Sequence, residues 1–204
     1  MNKHTFLFAA LLTVTACKKE SDGPGTTTPE GFTTTSVLSA FASNVAQENY
    51  ADLAQRGAVL RDMIIAFGSS GSDADLASCK QQWRDTRLSW ERSEALLFGP
   101  VATDNIDPRI DTWPVNFTDL EAQLASGNTF TPEYITSLED ALKGFHPIEY
   151  LLFGVGGNKT AGQFTAREVE YITALANDLV RLPASLDESW DPATTGNYSH
   201  AFTS

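Results

Sequence analysis

The chain has 204 residues, of which 26 are acidic and 14 are basic, so its formal charge is 14 − 26 = −12. This charge argues against a nucleic-acid-binding protein, because phosphate contacts require a surface rich in lysine and arginine. With 42% apolar and 10% aromatic residues, the chain can bury a hydrophobic core. The composition therefore excludes a disordered acidic tail and a small disulfide-stapled scaffold.

The first 16 residues are typical of an export signal. Lys3 and His4 precede an apolar run from Phe6 to Leu12, which is shorter than the roughly 20 residues of a membrane-spanning helix. The segment Val14-Thr15-Ala16-Cys17 resembles a bacterial lipobox. We therefore predict a lipoprotein signal peptide over residues 1–16 and lipidation of Cys17, with an ordinary signal peptide cut nearby as the alternative.

Residues 17–35 form a predicted flexible tether behind the lipidated cysteine. The segment is rich in Lys, Ser, Asp, Gly, Pro and Thr, which bury too little apolar surface to offset the entropy of an ordered chain. Lys18 follows Cys17 directly, in place of the aspartate associated with inner-membrane retention in enteric bacteria. We expect a cell-envelope protein that is lipid-anchored to the membrane, with the outer membrane favoured.

The remaining chain, residues 36–204, has the apolar periodicity of an all-α bundle and no useful alternating strand pattern. Cys79 lies on one apolar stripe and is interpreted as a core residue. An ordered loop is predicted over 99–117, and Gly57 marks a possible bend in the first helix. The predicted helices cover about 36–67, 73–98, 118–126, 131–143, 146–153 and 165–182.

Two similar segments in different helices carry candidate metal ligands. Residues 93–99 and 148–154 share the pattern Glu-x-Leu-Leu-Phe-Gly. In this alignment Glu91 falls opposite His146, so one helix presents Glu91-x-x-Glu94 and another presents His146-x-x-Glu149. Residues three apart share one face of a helix, so each pair can converge on a single point.

The position of Glu94 strengthens the metal hypothesis. Glu94 follows Trp90 by four residues and precedes Leu97 by three, so its carboxylate is expected to face the core. A buried carboxylate needs a cation, a hydrogen-bond network or a proton. Carboxylates and an imidazole on facing helices can hold a divalent metal, and iron, manganese or zinc would suit these ligands.

Two readings without a metal remain open at this point. Glu91 lies four residues after Arg87 and could form an ion pair on the helix surface. If the preceding helix ends at Gly144, His146 could cap the next helix, with Glu149 reaching back to a backbone N–H group. That arrangement would explain the spacing of His146 and Glu149 without any ligand.

The segment Gly144-Phe145-His146-Pro147-Ile148-Glu149 resembles the Gly-x-His-x-x-Glu motif of the imelysin-like family. This family includes an insulin-cleaving membrane protease and iron-regulated envelope proteins. Residues 110–114, Ile-Asp-Thr-Trp-Pro, are similar to a second family segment, and the resemblance covers about residues 36–182. It implies two related helical bundles, of which we expect this chain to hold an incomplete, truncated N-terminal part.

The resemblance also implies a function connected with iron uptake, and we expect other iron-uptake components among the partners of the protein. His146 and Glu149 match the family motif, and Glu94 and Asp111 match further polar positions, whereas Glu91 rests on the internal alignment alone. The first hypothesis is an envelope lipoprotein that uses these residues to bind a divalent metal, iron or zinc, or a ligand that carries the metal.

Two other functions are open from the sequence. The family's protease member implies a metallopeptidase, but Pro147 follows His146 where a two-histidine zinc motif would place its glutamate base. This substitution disfavours hydrolysis, because proline can act neither as ligand nor as base. The other alternative is a module that binds a protein or glycan without metal, using exposed aromatic residues around Trp113.

Overall fold

The computed structural model describes residues 32–204. The predicted signal peptide, Cys17 and most of the predicted tether lie outside the described residues. Residues 33–204 form helices and loops without a β-strand, which confirms the predicted all-α fold. In chain order the helices are α1 (Thr34–Phe41), α2 (Glu48–Ser70), α3 (Asp73–Arg92), α4 (Pro100–Thr103), α5 (Ile106–Asp111), α6 (Phe117–Ala125), α7 (Pro132–Ser137), α8 (Phe145–Phe153), α9 (Ala166–Leu179), α10 (Arg181–Trp190) and α11 (Tyr198–Thr203).

Helices α1 and α2 are joined by a π-helical segment, Ala42–Gln47, so the first helical run has its irregular turn there. α2 continues as an α-helix through Gly57, so the irregular turn lies before α2 and not at the position of the predicted bend. Gly57 is buried and lies close to Val180, 3.9 Å from where its Cβ would stand. A small residue here therefore serves close packing rather than a bend.

Several predicted helices are shorter than their apolar stripes suggested. α3 ends at Arg92 and is followed by a single 3-10 turn, Ser93–Leu96. The predicted helix at 131–143 stops at Ser137, because Leu138 is extended with ψ of 153°. The predicted loop 99–117 contains the short helices α4 and α5. The last predicted helix divides into α9 and α10, with Pro183 in the first turn of α10, where its missing N–H costs nothing.

The bundle is built around the α2–α3 pair, which a two-residue turn at Gly71 and Ser72 connects. α9 and α10 pack against α2, and α8 packs against both α3 and α9. The largest fully buried side chains are Trp90, Trp190, Tyr50, Tyr171, Phe67 and Phe145. This packing holds α8, which carries the family-like motif, against the middle of the long helix α3.

Cys79 is fully buried in this core, as predicted, and burial raises the pKa of its thiol to about 11. A thiol with such a pKa stays protonated and unreactive. None of the helices in residues 32–204 has the length and apolar character needed to cross a membrane.

Candidate functional site

The site begins at Gly144, immediately before α8. Gly144 has φ of 84°, a conformation that favours glycine, and a Cβ here would collide with the carbonyl oxygen of Ile110 at the end of α5. The close approach brings α5 and α8 together. Because α8 begins at Phe145 after the cap residue Gly144, the alternative in which His146 caps the helix is wrong.

Three of the predicted site residues meet where α5 touches α8. Nδ1 of His146 lies 2.9 Å from Oε2 of Glu149, one helical turn away. Nε2 of the same ring lies 3.1 Å from Oδ1 of Asp111, although the buried Oδ1 has no well-aligned hydrogen bond. Glu149 therefore bonds to the imidazole rather than to a backbone N–H group. Each nitrogen of His146 faces a carboxylate.

The other carboxylate oxygen of Asp111 is bound by residues of α3. Nη1 of Arg87 donates to Oδ2 at 2.7 Å, and the indole Nε1 of Trp90 donates to the same oxygen at 2.9 Å. Nη2 of Arg87 also lies 2.6 Å from Oε1 of Glu91. A row of alternating charge thus runs through Glu91, Arg87, Asp111, His146 and Glu149.

A second contact fixes α8 against α3 beside this row. The indole Nε1 of Trp83 donates to the backbone carbonyl of Phe145 at 3.1 Å, and the guanidinium of Arg87 lies 5.5 Å from the centre of the Phe145 ring. Phe145 is fully buried. Since Phe145 precedes His146 directly, these contacts limit how far the imidazole can move from Asp111.

The row stabilises a protonated imidazole next to ionised carboxylates. The Asp111 carboxylate raises the pKa of His146, burial opposes this effect, and Glu149 adds to the increase. Burial raises the pKa of Asp111, but His146, Arg87 and Trp90 outweigh it and hold that pKa below its ordinary value. The side chains of Asp111 and His146 are only 12% and 14% exposed, so solvent screens their attraction weakly.

The remaining two predicted ligands do not join the imidazole directly. Glu91 forms the surface ion pair with Arg87 that the sequence left open, and its side chain is 43% exposed. Glu94 is exposed, so the expectation that it faces the core is wrong. The 3-10 turn at Ser93–Leu96 changes the angle between successive side chains, and Ser93 takes the buried position instead.

One edge of the row opens into a cleft of about 580 Å³. The cleft lies between the start of α6 with the residues that precede it and α8 with the residues that follow it. His146 and Glu149 lie on its wall with Gly154 and Gly157. Trp113 is 65% exposed, and its ring centre lies 4.9 Å from that of His146. The apolar lining is Trp113, Val115, Phe117, Tyr150, Phe153 and Val155.

This arrangement does not fit a bare divalent ion. Both imidazole nitrogens face carboxylates, and Asp111 is shared with the Arg87 guanidinium, whose charge would repel a metal. Across residues 32–204, no group of three or more His, Cys, Asp or Glu side chains is placed to hold an ion. Metal ligation by His146, Glu149, Glu94, Glu91 and Asp111 stays a prediction, and it would require the present contacts to break.

Sequence reasoning missed Arg87 and Trp90 as members of the site. Arg87 was considered only as a helix-surface partner of Glu91, and Trp90 only as a core residue. Arg87 lies between Trp83 and Trp90 on the buried face of α3. An arginine on an apolar stripe is the sequence signal that indicates a buried acidic partner.

Comparisons with known proteins give a consistent result. The family model for imelysin matches residues 46–204. The chain is 27% identical over 165 residues to iron-regulated protein A of Synechococcus elongatus, covering 81% of this chain and 43% of that protein.

Solved structures show the same fold. A putative iron-regulated protein A precursor from Parabacteroides distasonis superposes with a TM-score of 0.74 at 27% identity, covering 83% of this chain and 49% of that one. An imelysin-like protein from Psychrobacter arcticum gives a TM-score of 0.69 at 16% identity, covering 83% of this chain and 53% of that one, and supports the fold alone. The chain thus spans about half the length of these relatives.

Proposed function

Because the chain belongs to the imelysin family, we propose that it is an iron-linked lipoprotein of the bacterial cell envelope. In this proposal the cleft beside His146 binds a ligand that carries iron, and the protein takes part in iron uptake with other envelope components. The names of two relatives, iron-regulated protein A and a putative precursor of that protein, support the link to iron.

The observation that carries the proposal is the charged row at the wall of an aromatic cleft. Asp111 and Arg87 hold the imidazole of His146 in one place, so the site is organised before a ligand arrives, which lowers the entropic cost of binding. A cleft of about 580 Å³ is of the size that small organic ligands occupy.

The same geometry favours an iron complex over a free ion. A free ion would have to displace Glu149 or Asp111 from the imidazole, or compete with the Arg87 guanidinium. A chelated iron already has its ligands and needs only a surface that matches the organic shell of the complex. The aromatic lining and the Oε1 oxygen of Glu149, which does not bond to His146, supply such a surface.

The envelope assignment rests on residues 1–17 and is independent of the cleft. The predicted export signal and the lipobox-like segment before Cys17 support the proposal of a lipid anchor, with the outer membrane favoured. The tether would let residues 36–204 extend from the membrane into the periplasm or onto the cell surface.

Equilibrium dialysis against radiolabelled iron tests the binding proposal. We expect the protein to retain ferrioxamine B more strongly than the iron-free chelator, and to lose about tenfold in affinity in His146→Asn. His200→Asn is the matched control, because His200 is an exposed histidine outside the cleft. Retention of Fe(II) alone, abolished in His146→Asn, would instead establish a free-ion site, and equal retention by both histidine variants would refute the proposal.

A further inference from the structure

We propose that the His146 cleft recognises a positively charged organic group, an ammonium or a guanidinium carried on an apolar body. The inference rests on the proposed function only in taking this cleft as the ligand site. It specifies the chemistry of the occupant, which neither the family nor the names of its relatives provide.

The walls of the cleft are suited to an organic cation. Trp113, Phe117, Tyr150 and Phe153 all line it, and the ring centres of Phe117 and Tyr150 lie 5.0 Å apart. Trp113 keeps 65% of its surface exposed although its ring contacts His146. Aromatic faces attract ammonium and guanidinium groups through the negative charge of their π systems, and tryptophan does so best.

The charge of the lining has the matching sign. Glu149 is the carboxylate of the lining and is 39% exposed, so it can contact both the imidazole and a ligand. A second carboxylate, Glu121, accepts a hydrogen bond from the Tyr150 hydroxyl at 2.7 Å. The charged row sets three carboxylates, Glu91, Asp111 and Glu149, against one guanidinium and one imidazole, so it has no excess positive charge even when His146 is protonated.

The lysines and arginines near the cleft already have partners within the protein. Among the described residues that line it there is no lysine or arginine. Lys159, beyond Gly154, bonds to Glu168 at 2.6 Å. Arg84 and Lys80 lie over the ring of Phe153, at 4.8 and 5.6 Å from its centre. The Phe153 ring already attracts cations from α3, so Trp113, Phe117 and Tyr150 would take the ligand.

The shared chemistry could come from a small molecule or from a basic side chain of a polypeptide. Isothermal titration of the whole chain separates the two sources with benzyltrimethylammonium and Nα-acetyl-arginine amide. Benzyl alcohol and benzoate serve as neutral and anionic counterparts. We expect at least one of the two cations to bind about tenfold more tightly than benzyl alcohol, and benzoate to bind least. Tighter binding of benzyltrimethylammonium indicates a small molecule, and tighter binding of Nα-acetyl-arginine amide indicates a basic side chain of a polypeptide.

Variants link the binding to the cleft. Glu149→Gln keeps an oxygen that can accept from Nδ1 of His146 but removes the charge, and we expect it to weaken cation binding about tenfold. Glu94→Gln is the matched control, since Glu94 begins the same Glu-x-Leu-Leu-Phe-Gly pattern but is exposed outside the cleft. Trp113→Ala should weaken binding similarly, and Trp113→Phe should retain most of it.

The two proposals fail in different ways. Ferrioxamine B carries an ammonium group remote from its iron, and N-acetylation removes that charge without changing the chelate. If the acetylated complex binds equally well, or if benzoate binds as tightly as the cations, the cation inference is wrong while iron binding stands. If benzyltrimethylammonium binds through Glu149 but no iron complex does, the iron proposal is wrong and the cation inference stands.

Discussion

Replacing Asp111 by asparagine tests whether the charged row organises the site. The substitution keeps the shape of the side chain but removes the charge that Arg87 and His146 face at 2.7 and 3.1 Å. Removing one partner of a buried ion pair costs about 3–5 kcal/mol. Because Glu91 still contacts Arg87 at 2.6 Å, we expect a smaller loss, about 2–3 kcal/mol of unfolding free energy.

Urea unfolding followed by circular dichroism measures this loss. Asp107→Asn is the matched control, because Asp107 is an exposed residue of the same helix α5, and it should change stability by less than about 0.5 kcal/mol. A double-mutant cycle with His146→Asn should show coupling of about 1 kcal/mol or more between Asp111 and His146. Equal stability of the two aspartate variants, or additive effects in the cycle, would refute the electrostatic account of the site.

The pH dependence of stability gives the sign of this interaction. The pKa of His146 is raised above its ordinary 6.5, so its contribution is complete below about that pH and is lost as pH rises through the folded-state pKa. The pKa of Asp111 is lowered from its ordinary 3.8, so its contribution is complete above that value and is lost as pH falls through the folded-state pKa. We expect the row to stabilise the fold most between these two values, and His146→Asn to remove the loss on the alkaline side.

Other consequences can be checked separately. Gly144→Ala should destabilise the fold by about 2–4 kcal/mol in the same urea titration, because the positive φ of Gly144 and the nearby Ile110 carbonyl leave no room for a methyl group. The control Gly127→Ala, with no atom within 4 Å of the added carbon, should be nearly neutral. Cys17→Ala should abolish incorporation of labelled palmitate in growing cells and release the protein from membranes; labelling that persists would place the lipid elsewhere.

Local sequence patterns predicted most of the fold. The apolar periodicity of residues 36–204 predicted an all-α bundle, and helices lie near the predicted ranges 73–98, 118–126 and 146–153. These signals act within a few residues. The helix ends at Arg92 and Ser137 were missed, because an apolar stripe can continue after the backbone has left the α-helical conformation.

The site was predictable only in part, because sequence patterns indicate contacts within one helix but not contacts between helices. The pairing of His146 with Glu149 follows from one helical turn, and it was found by spacing. The contacts of Asp111 with Arg87 and Trp90 join residues 24 and 21 positions apart, and no periodicity encodes them. The exposed position of Glu94 shows that an identical six-residue pattern can take two conformations when the packing around it differs.

The exposure of Trp113 makes the cleft observable by optical means. Of the four tryptophans in the chain, Trp83, Trp90 and Trp190 are buried, and Trp113 alone is largely in contact with solvent. The indole emission of the buried three should be blue-shifted and shielded from aqueous quenchers, whereas Trp113 should emit at longer wavelength and respond to them. The native protein therefore contains a spectroscopic probe at the mouth of its own cleft, and occupancy can be followed without a label or an engineered reporter.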